Sequence, residues 1–153
     1  MKLTNQSPTR HTRYCAMLML FFVVMACDPQ NSGSKDTQID DELEGERAFA
    51  VDAAYSNIAE IKMGEMAQSK SASDSVTSFA GTMVKEHTKA LQELRDLTEE
   101  HTIDIPDTLK MEHKRIQDEI SVLKGGAFDS AYMNHQVQAH QQAQQLFQNA
   151  INE

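Results

Sequence analysis

Apolar side chains recur at every third or fourth position along most of the chain from Glu46 onward, which is the spacing of one face of an α-helix. The pattern predicts helices over residues 46–69, 74–100 and 109–124, and a fourth from 127 nearly to the end. Strand-type alternation and tryptophan are both missing. Four helices with short connections are typical of an all-α, up-down-up-down four-helix bundle.

The same periodicity predicts which side chains form the core. A second apolar patch is expected on the back of the first helix, and the glutamines of the fourth helix, Gln136 among them, are expected to be solvated. The inward residues include Phe49, Ala53, Glu60, Met63, Ala67, Phe79, Met83, His87, Leu94, His113, Ile116, Ile120, Phe128, Tyr132 and Phe147. The back patch consists of Val51, Tyr55, Ile58 and Met66.

The two halves of this pattern match each other at an offset of 53 positions. Phe79 then aligns with Tyr132, and His87 aligns with His140. The same offset aligns Glu60 with His113. The chain is therefore expected to contain two copies of one helical hairpin, related by an internal repeat.

The first 26 residues have the features of an export signal. A basic stretch precedes the apolar run 15–25, which is too short to span a bilayer. The run ends in Val24-Met25-Ala26-Cys27, which resembles the lipobox of bacterial lipoproteins, whose cysteine is acylated and becomes the N-terminus. Cys27 is the single cysteine after the signal, so an internal disulfide is excluded. An ordinary secretory signal followed by a chance Cys27 is the alternative.

This interpretation divides the chain into a lipoprotein signal peptide (1–26), an acidic flexible tether (27–45) and a helical domain (46–153). The tether has too few apolar residues to offset the entropy of folding. We expect the protein in the bacterial cell envelope, lipid-anchored and facing the periplasm. Asp28 resembles the residue that retains lipoproteins of enteric-type bacteria in the inner membrane.

The charge of the chain limits its partners. All 23 acidic residues and 11 of the 14 basic residues follow the signal, so the exported chain has a net charge of −12 with neutral histidines. Such a charge repels phosphate backbones and anionic lipids, which argues against nucleic-acid binding and leaves the Cys27 lipid as the membrane link. Cations are the favoured partners of this surface.

Four polar residues occupy positions at which the helical stripes should be apolar, namely Glu60, His87, His113 and His140. Face-to-face packing of the two hairpins would bring them together near the middle of the bundle. Carboxylate and imidazole ligands suit zinc, copper or iron. A purely structural network, with Glu60 paired to His87 or His113, explains the same pattern, and both interpretations stay open.

Three separated segments resemble DUF4142, a domain of unknown function in exported bacterial proteins. The segments are 59–67, 79–87 and 126–140, and the resemblance covers residues 49–151. It implies a ferritin-like bundle and no settled biochemical role. The Glu-x-x-His motif of ferritin di-iron sites is missing, because Val84 and Val137 stand three residues before His87 and His140.

These features favour a membrane-tethered, non-enzymatic bundle that binds a transition metal at mid-bundle. A metal-dependent oxidase or hydrolase that uses the same residues is a second class. A third is a metal-free interaction module whose back patch contacts a protein partner or a second copy of the chain.

Overall fold

The computed structural model describes residues 33–152, and the burial of their side chains from Glu42 onward. Four helices make up this part of the chain, and it contains no strand. Their bounds are α1 Gly33–Lys70, α2 Asp74–Glu100, α3 Met111–Ser121 and α4 Gly125–Asn152. The predicted all-α four-helix bundle is confirmed.

The predicted signal peptide, Cys27 and Asp28 lie outside the described residues, so the predictions made for them are unchanged. None of the four helices combines the length and the hydropathy that a membrane span requires.

Helix α1 begins at Gly33, and the prediction that it starts at Glu46 was wrong. Residues 33–45 were expected to be flexible because they are acidic and poor in apolar residues. A helix already held by packing can propagate into such a segment, because each further residue adds a backbone hydrogen bond.

The helix directions alternate as the sequence predicted. Ser73 caps α2, and its side chain accepts a hydrogen bond from the backbone N–H of Val76 at 3.5 Å. Lys70 at the end of α1 donates to the carbonyl oxygen of Ser121 at the end of α3, so these two helices run parallel.

Gly125 was predicted to end the third helix, but it is the first residue of α4 and has a φ of 57°.

The third helix lies beside α1, which contacts each of the other three helices. The connection from α2 therefore passes over the back of α1, where Lys110 lies 5.6 Å from the centre of the Tyr55 ring. Ile58 in the same patch is 5% exposed. The prediction that this patch lies on the back of the first helix, outside the core, was wrong for Ile58, which is buried.

The apolar core fills the end of the bundle near the α1–α2 turn. Its buried residues are Met63, Ala67, Ala80, Ile120, Phe128 and Tyr132, all on the predicted inward faces. Phe147 was also predicted to be buried, yet it is 50% exposed. It lies near the other end of the bundle, beyond the short helix α3, where it keeps an edge contact with Phe49 at 5.2 Å.

Candidate functional site

The middle of the bundle contains a buried carboxyl group with a buried amide beside it. Glu60 on α1 is 3% exposed and Gln136 on α4 is 2% exposed. Gln136 Nε2 donates to Glu60 Oε2 at 2.7 Å. The solvated position predicted for Gln136 was wrong. Gln136 follows Tyr132 by four residues and Phe128 by eight, so helical spacing places it on the inward face of α4. The many other glutamines in that helix obscured this signal.

Asn57 fixes the ring of His87. The side-chain amide of Asn57 donates through Nδ2 to the carbonyl oxygen of Ala53 at 2.8 Å, so its Oδ1 faces α2 as an acceptor. His87 Nδ1 lies 2.9 Å from this Oδ1 and must therefore carry the hydrogen. In the neutral ring this leaves Nε2 as the nitrogen with a free lone pair.

The ring of His140 has the same tautomer for a different reason. Its Nδ1 lies 2.9 Å from the backbone carbonyl oxygen of Gln136, which can only accept a hydrogen bond. The rings of His87 and His140 meet edge to face, with their centres 5.9 Å apart and their planes at 80°. The sequence predicted that these residues converge, and the structure brings them into contact between α2 and α4.

The other histidine of the predicted set lies elsewhere. His113 lines a cleft of about 260 Å³ between α1, α3 and α4, together with Glu60 and His135. His113 Nδ1 is buried and has no hydrogen-bond partner among the described residues. Glu60 lines this cleft, and its partner Gln136 also accepts a hydrogen bond from His140 through its backbone carbonyl oxygen, which links the carboxyl group to the His87–His140 pair.

Burial shifts the titration of these groups in opposite directions. It raises the pKa of Glu60, although the hydrogen bond from Gln136 and the charge of His140 act to lower it. Burial lowers the pKa of His87, and the charge of His140 adds to that effect while Glu86 opposes it. Burial also lowers the pKa of His113 and of His135. Neutral imidazoles are the form that binds metal ions.

No three His, Cys, Asp or Glu side chains between residues 33 and 152 are placed so that they could hold one metal ion together. The predicted ligands are thus present as one histidine pair, one buried carboxyl group linked to the pair through Gln136, and one histidine in the cleft. A metal ion at the pair would receive two protein nitrogens and keep its other positions for water or for a side chain that moves.

A sequence model of the family described as "Domain of unknown function (DUF4142)" matches residues 29–153. The chain belongs to the DUF4142 family. The match spans all four helices, and with them Glu60, Gln136 and the histidine pair. A search of curated proteins gave no significant match, and neither did a search of solved structures. Membership of DUF4142 assigns no activity, and the ferritin likeness stays a prediction.

Proposed function

We propose that this DUF4142 protein is a lipid-anchored protein of the cell envelope whose bundle binds a divalent transition metal through His87 and His140. Cys27 would carry the lipid, and α1 begins six residues later, at Gly33. The metal site would lie at mid-bundle, beside the carboxyl group of Glu60.

One observation carries the proposal of a metal site, namely the paired orientation of the two rings. Each Nδ1 is committed to an oxygen acceptor, and each Nε2 remains for a ligand. Metal-binding histidines usually donate their second ring N–H in this way, which fixes the tautomer and the ring orientation. Two imidazoles bound to one tetrahedral ion at about 2.0–2.1 Å have ring centres roughly 5–6 Å apart. The observed 5.9 Å falls within that range.

The chemistry of the pair limits the choice of metal. Imidazole nitrogens suit zinc, copper and iron, whereas calcium and magnesium prefer oxygen ligands. Glu60 is linked to His140 through Gln136, whose side chain donates to the carboxyl group and whose backbone carbonyl oxygen accepts from the His140 ring, so Glu60 is a candidate third ligand if its side chain moves. Histidine ligation also agrees with the acidic surface, which attracts cations.

Elemental analysis of the chain purified without chelators tests this proposal. The mature chain with Cys27→Ser, which cannot be acylated, should retain about one equivalent of a transition metal or take it up on dialysis. The double variant His87→Gln/His140→Gln should lose this metal. The matched control is His101→Gln, since His101 is an exposed residue at the C-cap of α2. Equal metal content in the double variant and the control would overturn the assignment.

Metabolic labelling tests the proposed anchor independently of the metal. Cells that express the full chain should incorporate labelled fatty acid into the protein, and Cys27→Ser should abolish the label and release the protein from membranes. Label that persists in Cys27→Ser would exclude Cys27 as the lipidated residue.

A further inference from the structure

A groove with apolar walls opens at the end of the bundle opposite the core. This end groove has a volume of about 250 Å³ and lies between α1, the end of α2 and the connection that follows α2. Phe49, Leu94, Leu97 and Ile103 form its apolar walls. Leu97 is 55% exposed, so a large apolar side chain is left in contact with water there.

Exposed apolar side chains extend this surface beyond the end groove. Phe147 on α4 contacts Phe49 in the groove wall, with ring centres 5.2 Å apart. Ile151 follows Phe147 by four residues and therefore lies on the same face of α4, where it is exposed. Contiguous apolar surface that is open to water marks an interaction site. The end groove is therefore a candidate docking surface.

The segments that flank the end groove carry most of the net charge of the described chain. Residues 33–47 and 93–107 contain twelve acidic and three basic residues, whereas residues 48–92 and 108–152 contain nine acidic and eight basic ones. Nine of the twelve acids have described side chains, and of these only Glu93 forms an ion pair with another described residue, Lys89 at 3.6 Å. A negative potential therefore surrounds the apolar walls of the groove.

The first turns of α1 extend past the rest of the bundle at this end. Helix α1 has 38 residues, whereas the antiparallel helices α2 and α4 have 27 and 28. Since a short turn joins α1 to α2, residues 33–43 project roughly three turns beyond the end of α2. A helix that lies along this projecting segment would reach the end groove and would be flanked by acidic residues.

We propose that the end groove binds a basic amphipathic helix of a protein partner. Apolar side chains on one face of that helix would fill the groove beside Phe49 and Leu97, as in other helix-in-groove complexes. Lysine or arginine side chains along its edges would pair with the acids of α1 and α2, including Glu46, which lines the groove. The docking surface does not involve His87 or His140, so it is independent of the proposed metal site.

Charge argues against the two other occupants of such a surface. A second copy of the chain would bring a second set of twelve acids to the same place, and like charges that face each other across an interface are costly. An anionic lipid surface is repelled for the same reason. A basic partner instead gains from each charge pair, and the negative potential also accelerates its approach.

A synthetic peptide of leucine and lysine tests the docking surface. Its leucines are spaced to form one face of a helix, and its binding to the mature chain with Cys27→Ser is followed by fluorescence anisotropy in buffer with EDTA. The peptide should bind saturably, at about one per chain, and more weakly as salt is added. A peptide of the same composition with its leucines spread around the helix should bind much more weakly. Absence of saturable binding at low salt, or equal binding of the two peptides, would overturn the proposal.

Two pairs of matched variants locate the binding site. Leu97→Gln should weaken binding about tenfold, because a leucine contact is lost, while Val137→Gln on α4, where the side chain is 57% exposed, should not. Glu46→Lys should weaken binding and reduce its salt dependence more than Glu119→Lys, at an exposed position near the other end of the bundle. Equal affinities within either pair would overturn the proposal.

The same chain without peptide tests the other occupants. It should sediment as a monomer at micromolar concentration, and it should not bind vesicles of phosphatidylglycerol. Self-association or vesicle binding that Leu97→Gln abolishes would assign the end groove to a second copy or to a membrane, and would overturn the proposal.

Discussion

Phe79 and Tyr132 face each other across the bundle, with ring centres 6.3 Å apart and planes at 63°. They are separated by 53 positions in the sequence, and so are His87 and His140, which meet two turns further along the same pair of helices. Contacts between equivalent residues at two levels are what two hairpins produce when a twofold axis relates them. This relationship supports the internal repeat that the sequence predicts.

Tyr132 gives the first prediction, because its ring is fully buried while its hydroxyl group has no partner among the described residues. Tyr132→Phe should leave the free energy of unfolding unchanged or raise it by about 1 kcal/mol, since a buried unpaired hydroxyl group is costly. Tyr132→Ala, which empties the core position, should lower it by about 3–5 kcal/mol. Urea denaturation measures both. A loss of more than about 1 kcal/mol in Tyr132→Phe would mean that a buried water binds the hydroxyl group.

Gly64 gives the second prediction, because it allows α1 and α2 to approach closely. A Cβ at this position would lie 2.7 Å from Val84 Cγ2 and 3.1 Å from the carbonyl oxygen of Ala80. Gly64→Ala should therefore destabilise the bundle by about 1–3 kcal/mol through overpacking. At the control position Gly81, a Cβ would meet only the end of the flexible Gln68 side chain. Equal thermal stability of the two variants would contradict the proposed close approach.

The turn into α4 gives the third prediction. Gly125 has a φ of 57° and no atom within 4 Å of the position of a Cβ, so only backbone strain opposes a side chain there. Gly125→Ala should cost about 1–2 kcal/mol. Gly126→Ala should be neutral or stabilising by up to about 1 kcal/mol, because it also has open space and has no positive φ. Calorimetric melting of the two variants compares them directly, and the opposite order would exclude strain at Gly125.

The shifted pKa values of the buried groups predict that the free energy of unfolding depends on pH in two opposing ways. The pKa values of His113 and His87 are lowered on folding, so the unfolded chain takes up their protons first and stability falls as pH drops through about 6.5. The pKa of Glu60 is raised on folding above its ordinary value of 4.5. The contribution of Glu60 to stability is therefore lost as the pH rises from 4.5 through the pKa of the folded state.

Two variants distinguish the two effects when the free energy of unfolding is measured by urea denaturation at several pH values between 4 and 9. His113→Gln should gain stability relative to the parent chain as pH falls below about 6.5. Glu60→Gln should gain stability relative to the parent as pH rises above 4.5. If each variant kept a constant difference from the parent at every pH, neither group would have the shifted pKa that its burial implies.

Helical periodicity predicted the number of helices and most of their inward stripes, and the internal repeat predicted that His87 and His140 lie near each other. It could not predict that α3 packs beside α1, because an amphipathic stripe shows that a helix buries a face but not which neighbour covers it. The same limit explains the errors at Ile58 and Phe147. Gln136 was missed because the many glutamines of α4 obscured its helical spacing from Tyr132 and Phe128, which placed it on the inward face.

Thermal melting with added zinc or copper tests the central claim most directly. A ligand that binds only the folded protein raises the melting temperature by mass action. The mature chain with Cys27→Ser should therefore gain stability with metal at pH 7.5, and should lose that gain as the pH drops below about 6.5 toward the lowered pKa of His87, because a protonated imidazole does not bind. His87→Gln/His140→Gln should show no gain at either pH, while His101→Gln should behave like the parent chain. An equal gain in the double variant, or no gain in the parent chain, would contradict a metal site at His87 and His140.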